Sequence, residues 1–165
     1  MHEKINLVEL ATFLVNAKRN TYASQDRMEI IPERPRFNEL GYKEGNFYYR
    51  DSYYGFFQAP GMEIVRIGGE NGIPIWSMAY SGGMMEKFYD NINFAREVFE
   101  FLKQALLEVP MSMPFRGPRN LRDGEWEYTN DINGDIKRFV GHERVLHKGE
   151  EVFNQDYIGG LVIDK

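Results

Sequence analysis

The sequence predicts an α+β domain in which two pseudo-repeated three-stranded antiparallel β-meanders form a mainly antiparallel sheet, with two amphipathic helices packed on it. Three observations carry this. Two stretches have a helical apolar period. Most of the remainder consists of aromatic and β-branched segments broken by Gly, Pro and Asn, which is strand composition. The strand-rich part is also written twice, since "YSGGM" at 80–84 returns as "YIGGL" at 157–161.

The first element reads as a helix. Leu7, Leu10, Ala11, Leu14 and Ala17 fall on one stripe. Asn6 with Glu9 three residues later is a capping-box start, and Lys18 and Arg19 place cations near the end, where the helix dipole favours them. From Gln25 to Gly45 no period survives, and Pro32 and Pro35 bracket an extended connection with short strand-like pieces. Three strand segments follow, "NFYYRDSYYGFFQ", "MEIVRI" and "IPIWSMAY", the last two joined through "IGGENGI". A second helix spans about 93–109, with Phe94, Val98, Phe101, Leu102, Ala105 and Val109 on one face, Asn93 as cap and Pro110 as terminator. The segments "WEYTNDINGDIKRF", "HERVLH" and "VFNQDYIGGLV" complete the second set, with Asn133-Gly134 as a hairpin signal.

Set side by side, the stretches at about 46–85 and 125–162 match beyond their Gly-Gly pairs. Phe47 falls on Trp126, Tyr49 on Tyr128, Asp51 on Asn130, Glu63 on Glu143, Val65 on Val145 and Tyr80 on Tyr157. Neither meander alone can support a core, so both are expected within a single domain over 1–165.

Composition narrows the function classes. The 165 residues are 42% hydrophobic and 15% aromatic, ample for one core, and they contain no cysteine. Disulfides, thiolate nucleophiles and cysteine-based metal sites are thereby excluded. A net charge of −5 gives no general attraction to nucleic acid or anionic membrane, and no stretch reads as a membrane span or a signal peptide, so a cytoplasmic location is expected. The three histidines, His2, His142 and His147, are scattered, and neither a metal nor a cofactor is expected.

The most unusual local composition is "VPMSMPFRGPRNLRD", which has no acidic residue between Glu108 and Asp123 and carries Arg116, Arg119 and Arg122. Guanidinium groups grip carboxylate or phosphate in pairs of bonds, so Arg116, flanked by Phe115 and Gly117, is the candidate anion contact. The alternative is a connector whose arginines pair with the chain's own acids. Gly82, Gly83, Gly159 and Gly160 mark bends or close backbone approach, or else line a pocket with Tyr80 and Tyr157 as walls. As carboxylate candidates for catalysis the chain offers Asp51, which its second copy replaces by Asn130, and the repeated pair Glu63 and Glu143, which would share a proton or a metal if they met. Arg50 and Asp51 are neighbours in a strand and point to opposite faces.

The run "FYYRDSYYGFF…GMEIV…IWSMAYSGGM", with "PFRGP" and "YTNDINGDIKRFVGHERV…YIGGLV", resembles an uncharacterised prokaryotic domain family, a domain of unknown function found alone or fused behind helix-turn-helix regulators. The resemblance covers nearly the whole chain. It implies a bacterial or archaeal source and a sensing role, without a transferable activity, and these 165 residues leave no room for a separate helix-turn-helix.

Three function classes remain. The first is a binding or sensing module for a small anion-bearing ligand. The second is a homodimerisation or regulatory interaction module, in which an apolar strand edge after Leu161 adds to a partner sheet. The third is a hydrolase or transferase using the carboxylates, which lacks a convergent nucleophile.

Overall fold

The computed structural model describes residues 5–24, 26 and 28–164. Of the features above, His2 and Gln25 lie outside them.

Helix α1 spans Leu7–Asn20 and begins as its sequence predicts. The Asn6 side chain accepts from the Val8 and Glu9 amides and donates to Glu9. Lys18 departs from expectation. It turns inward and is buried, serving a carboxylate rather than the helix dipole. Helix α2 spans Ile92–Leu107, and its cap is Asn91 rather than Asn93, with the Asn91 side chain accepting from the Phe94 amide.

Eight strands form one antiparallel sheet. They are β1 (Asn38–Glu44), β2 (Phe47–Tyr53), β3 (Gly61–Ile67), β4 (Ile73–Met84), β5 (Asn120–Asp123), β6 (Trp126–Asp135), β7 (Arg138–His147) and β8 (Glu150–Leu161). Their spatial order is β1-β2-β3-β4-β8-β7-β6-β5. The first four strands step inward from one edge and the last four from the other, so β4 and β8 meet in the middle. Each predicted set of three strands thus has a further strand outside it, β1 or β5, drawn from stretches with too few apolar residues to show a strand period. β8 is paired on both sides, which removes the strand edge expected after Leu161; the sheet edges are β1 and β5. The hairpin between β6 and β7 turns at Ile136 and Lys137, after the Asn133-Gly134 signal, because Asn133 and Gly134 are still paired with Val140 and Phe139.

Both helices cover the same sheet face. Leu10, Phe13, Leu14 and Ala17 of α1 pack with Tyr49, Val65, Trp76, Met78 and Phe139. Ala95, Val98, Phe101, Leu102 and Ala105 of α2 pack with Tyr128, Val145 and Phe153. The register puts all of these strand residues on one side, since Tyr128 stands opposite Val145 and Val145 opposite Phe153. The other face takes the alternate residues. There Arg50 bonds Glu39 and Glu70, so Arg50 and Asp51 do point opposite ways.

Candidate functional site

The covered face carries apolar residues at its two ends and a chain of buried polar groups across its middle. This pattern is costly unless every group is bonded or faces a solvated space. Tyr80 on β4 pairs with Tyr157 on β8 at the sheet centre. The Tyr80 hydroxyl donates to Asp51 Oδ1 at 2.7 Å, and the Tyr157 hydroxyl donates to Asn130 Oδ1 at 2.6 Å. Gly61 stands opposite Tyr80 and Gly141 opposite Tyr157, and a Cβ at either position would overlap the tyrosine it faces. These two glycines let the tyrosines lie flat across the neighbouring strand.

Beyond them sit Glu63 and Glu143. Lys18 donates to Glu63 Oε2 at 2.5 Å. Arg116 donates to Glu143 Oε1 through Nε at 2.8 Å and approaches it through Nη2 at 2.7 Å, while Tyr128 and Gln155 also donate to Glu143. Each glutamate therefore has its own cation, and the two do not form the shared-proton or metal-binding pair considered from sequence. Among the described residues no group of three or more His, Asp or Glu is arranged to hold a metal.

Two buried cations on this face thus match two buried carboxylates, and among the described residues Asp51 makes no ion pair. Burial raises its pKa to about 7, helped by Glu63 directly across on β3 and opposed by the Tyr80 hydrogen bond. Burial alone would lower Arg116, but the Glu143 carboxylate outweighs it and holds the guanidinium well above its ordinary range. Lys18 is lowered by burial despite Glu63.

Asp51, Tyr80, Arg116 and Gln155 form the floor of a cavity of about 570 Å³. It lies between the sheet, α2 and the β2–β3 loop, with Tyr22, Tyr53, Phe56, Phe99 and Phe153 as aromatic walls and Arg96 and Lys103 of α2 at its side. Gly82 and Gly83 also line it. A Cβ on Gly83 would strike the Phe57 carbonyl, and the β2–β3 loop is tied to this place by Met84 N donating to Phe57 O at 2.7 Å and Ala59 N donating to Gly82 O at 3.0 Å.

Of the residues singled out from sequence, Arg116, Tyr80, Gly82, Gly83 and Asp51 converge on this cavity. Glu63 and Glu143 stand behind its floor. Tyr157, Gly159 and Gly160 do not line it. Tyr157 bonds Asn130, Gly159 lies beneath Phe139, and Gly160 is closely approached by the Lys137 carbonyl. Lys18, Gln155, Phe99, Arg96 and Lys103 were not singled out. Lys18 reads as an ordinary helix-end cation, and the others reach the cavity only through the packing of α2 and β8.

A family model described as a domain of unknown function (DUF5680) matches residues 51–162. No curated protein and no solved structure matches the chain.

Proposed function

The chain belongs to the family described as a domain of unknown function (DUF5680), and on the geometry of its own residues we propose that it is a small-ligand binding or sensing domain. The observation that carries this reading is the cavity itself. Aromatic walls surround a floor of four polar side chains, which is the composition of a site for a small organic molecule. The anionic part of the ligand is drawn to Arg96, since Lys103 is paired at 2.7 Å with Glu100, which also lines the cavity. Arg116, the sequence candidate for that contact, already has its charge met by Glu143 and contributes a hydrogen-bond donor instead. We read the two four-strand halves as copies of one unit that have diverged at the cavity. The paired bonds Tyr80–Asp51 and Tyr157–Asn130 support that reading, and the exchange of Asp for Asn marks where the first copy turned to binding.

A thermal-shift screen of the purified chain against carboxylates, phosphorylated metabolites and nucleotides tests the proposal. A ligand at about 100 times its dissociation constant adds roughly 2.7 kcal/mol of stability, which for this size raises Tm by about 5–10 °C. The rise is expected to disappear in Arg96→Ala and in Phe99→Ala. A screen in which no compound moves the wild-type Tm, or in which these variants respond like wild type, overturns the proposal.

A further inference from the structure

The cavity is electrically lopsided, because different elements set the charge of its wall and its floor. On α2, Arg96, Phe99, Glu100 and Lys103 recur at helical spacing and line one wall. Lys103 and Glu100 are bonded to each other at 2.7 Å, whereas Arg96 is exposed and makes no ion pair or hydrogen bond among the described residues. The floor is the reverse. The cations at and behind it are already engaged, Arg116 by Glu143 and Lys18 by Glu63, and Asp51 adds a further carboxyl. An anion is therefore attracted at the α2 wall and finds no free cation at the floor.

The groups packed around Asp51 decide when that carboxyl is charged. Burial, then Glu63 across on β3, favour its neutral form, while Tyr80 on β4, Lys18 of α1 and Arg116 of the connector favour the carboxylate. Leu40, its partner on β1, carries no charge, and Arg96, Glu100 and Lys103 face it from across the cavity. The balance leaves Asp51 protonated below about pH 7 and ionised above it.

A chain of rings leads inward. Phe56 meets Phe99 edge-on at 5.4 Å, and Phe99 meets Phe153 edge-on at 6.4 Å. Exposure falls from 42% at Phe56 to 3% at Phe153, so the chain runs from the mouth toward the floor. A flat ring laid along it gains an aromatic contact at each step.

We infer that the ligand is a flat aromatic acid with a single carboxylate, held with that carboxylate on Arg96 and an uncharged hydroxyl at the floor, and that Asp51 determines specificity by rejecting a second negative charge at the inner end. One free guanidinium matches one carboxylate through paired bonds. A second anion would be buried beside Asp51 with no free cation to meet it. A hydroxyl suits either form of Asp51, since it donates to the carboxylate and accepts from the acid. This inference rests on the cavity being a binding site, and it adds the class of ligand.

Isothermal titration of the full chain with para-hydroxybenzoate and with terephthalate tests it, since the two share a ring and one carboxylate and differ at the other end. At pH 8, para-hydroxybenzoate is expected to bind one site and to weaken at least tenfold in Arg96→Ala. Terephthalate is expected to bind at least tenfold more weakly than para-hydroxybenzoate. Asp51→Asn, which keeps an acceptor for Tyr80 as Asn130 does for Tyr157, is expected to remove that gap. Wild type at pH 5 is expected to narrow it as well, because Asp51 is then protonated while both probes stay mostly ionised, so the test does not depend on the variant folding. Terephthalate binding as tightly as para-hydroxybenzoate at pH 8, a gap that neither Asp51→Asn nor pH 5 changes, or para-hydroxybenzoate binding that survives Arg96→Ala overturns the inference. The binding reading stands in the first two cases. If neither probe binds saturably at millimolar concentration the inference also fails, and the wider screen of carboxylates, phosphorylated metabolites and nucleotides decides the binding reading by itself.

Discussion

Tyr80 and Tyr157 stand directly opposite each other where β4 meets β8, and each donates its hydroxyl to a strand on its own side, Tyr80 to Asp51 and Tyr157 to Asn130. The two arrangements differ chiefly in one group, a carboxyl against a carboxamide. That difference sets a carboxyl in the cavity floor where the other half of the sheet has a carboxamide.

Asp51→Asn therefore changes the pH dependence of stability in a defined direction. Burial and Glu63 raise the Asp51 carboxyl to about 7, from an ordinary value of 3.8. The folded chain then binds more protons than the unfolded chain between those values. The stability this group contributes is present below about pH 4 and is lost as pH rises to 7, amounting to roughly 4 kcal/mol at most. Asn removes that slope. Urea unfolding at pH 5 and pH 8 is expected to show the variant gaining on wild type at the higher pH, and an equal difference at both would contradict the titration.

Glu143→Gln leaves Arg116 buried with no carboxylate beside it. Removing one member of a buried pair costs about 3–5 kcal/mol, because the remaining charge has nothing to replace its solvation. Tyr128 loses its charged acceptor as well. Chemical denaturation is expected to show a loss of that size, and a change below 1 kcal/mol would mean that Arg116 finds another partner.

Replacing both members of the Lys18–Glu63 pair is a different case. With Lys18→Met and Glu63→Gln together, no charge is stranded, and the expected change is near neutral or stabilising, whereas Lys18→Met alone is expected to destabilise. A double variant as unstable as the single one would contradict this.

Gly141→Ala and Gly61→Ala each place a methyl group where a tyrosine lies. Overpacking of this kind costs about 1–3 kcal/mol. Gly61→Ala is also expected to push Tyr80 off Asp51 in the cavity floor, so it should weaken binding of a ligand found in the thermal-shift screen, while Gly141→Ala lowers stability alone. Equal effects of the two on binding would separate Tyr80 from the site.

Much of the architecture was legible in the sequence, for reasons that can be named. The α1 start was readable because Asn6 and Glu9 bond within one turn of the chain. The two strand sets were readable because aromatic and β-branched residues crowd them. β1 was not, since "NELGYKE" alternates too little. That Arg50 and Asp51 face opposite ways followed from strand alternation alone, and their separate partners bear it out. Burial of Lys18 was hidden, because its partner Glu63 lies on β3, far along the chain. The role of Arg116 was half legible. Its Phe and Gly neighbours singled it out as an anion contact, but only the fold shows that it is buried and that Glu143 takes its charge. Gln155, Phe99 and Arg96 carried no local signal, because a cavity made by α2 crossing a sheet has no sequence period.

The most direct test of the binding account is a nitrogen-15 correlation titration of the full chain with benzoate. The account predicts that amide resonances of Gly82, Gly83, Phe99 and Lys103 move together and saturate along one binding curve. Shifts confined to residues away from the cavity, or no saturable shift at all, would contradict it.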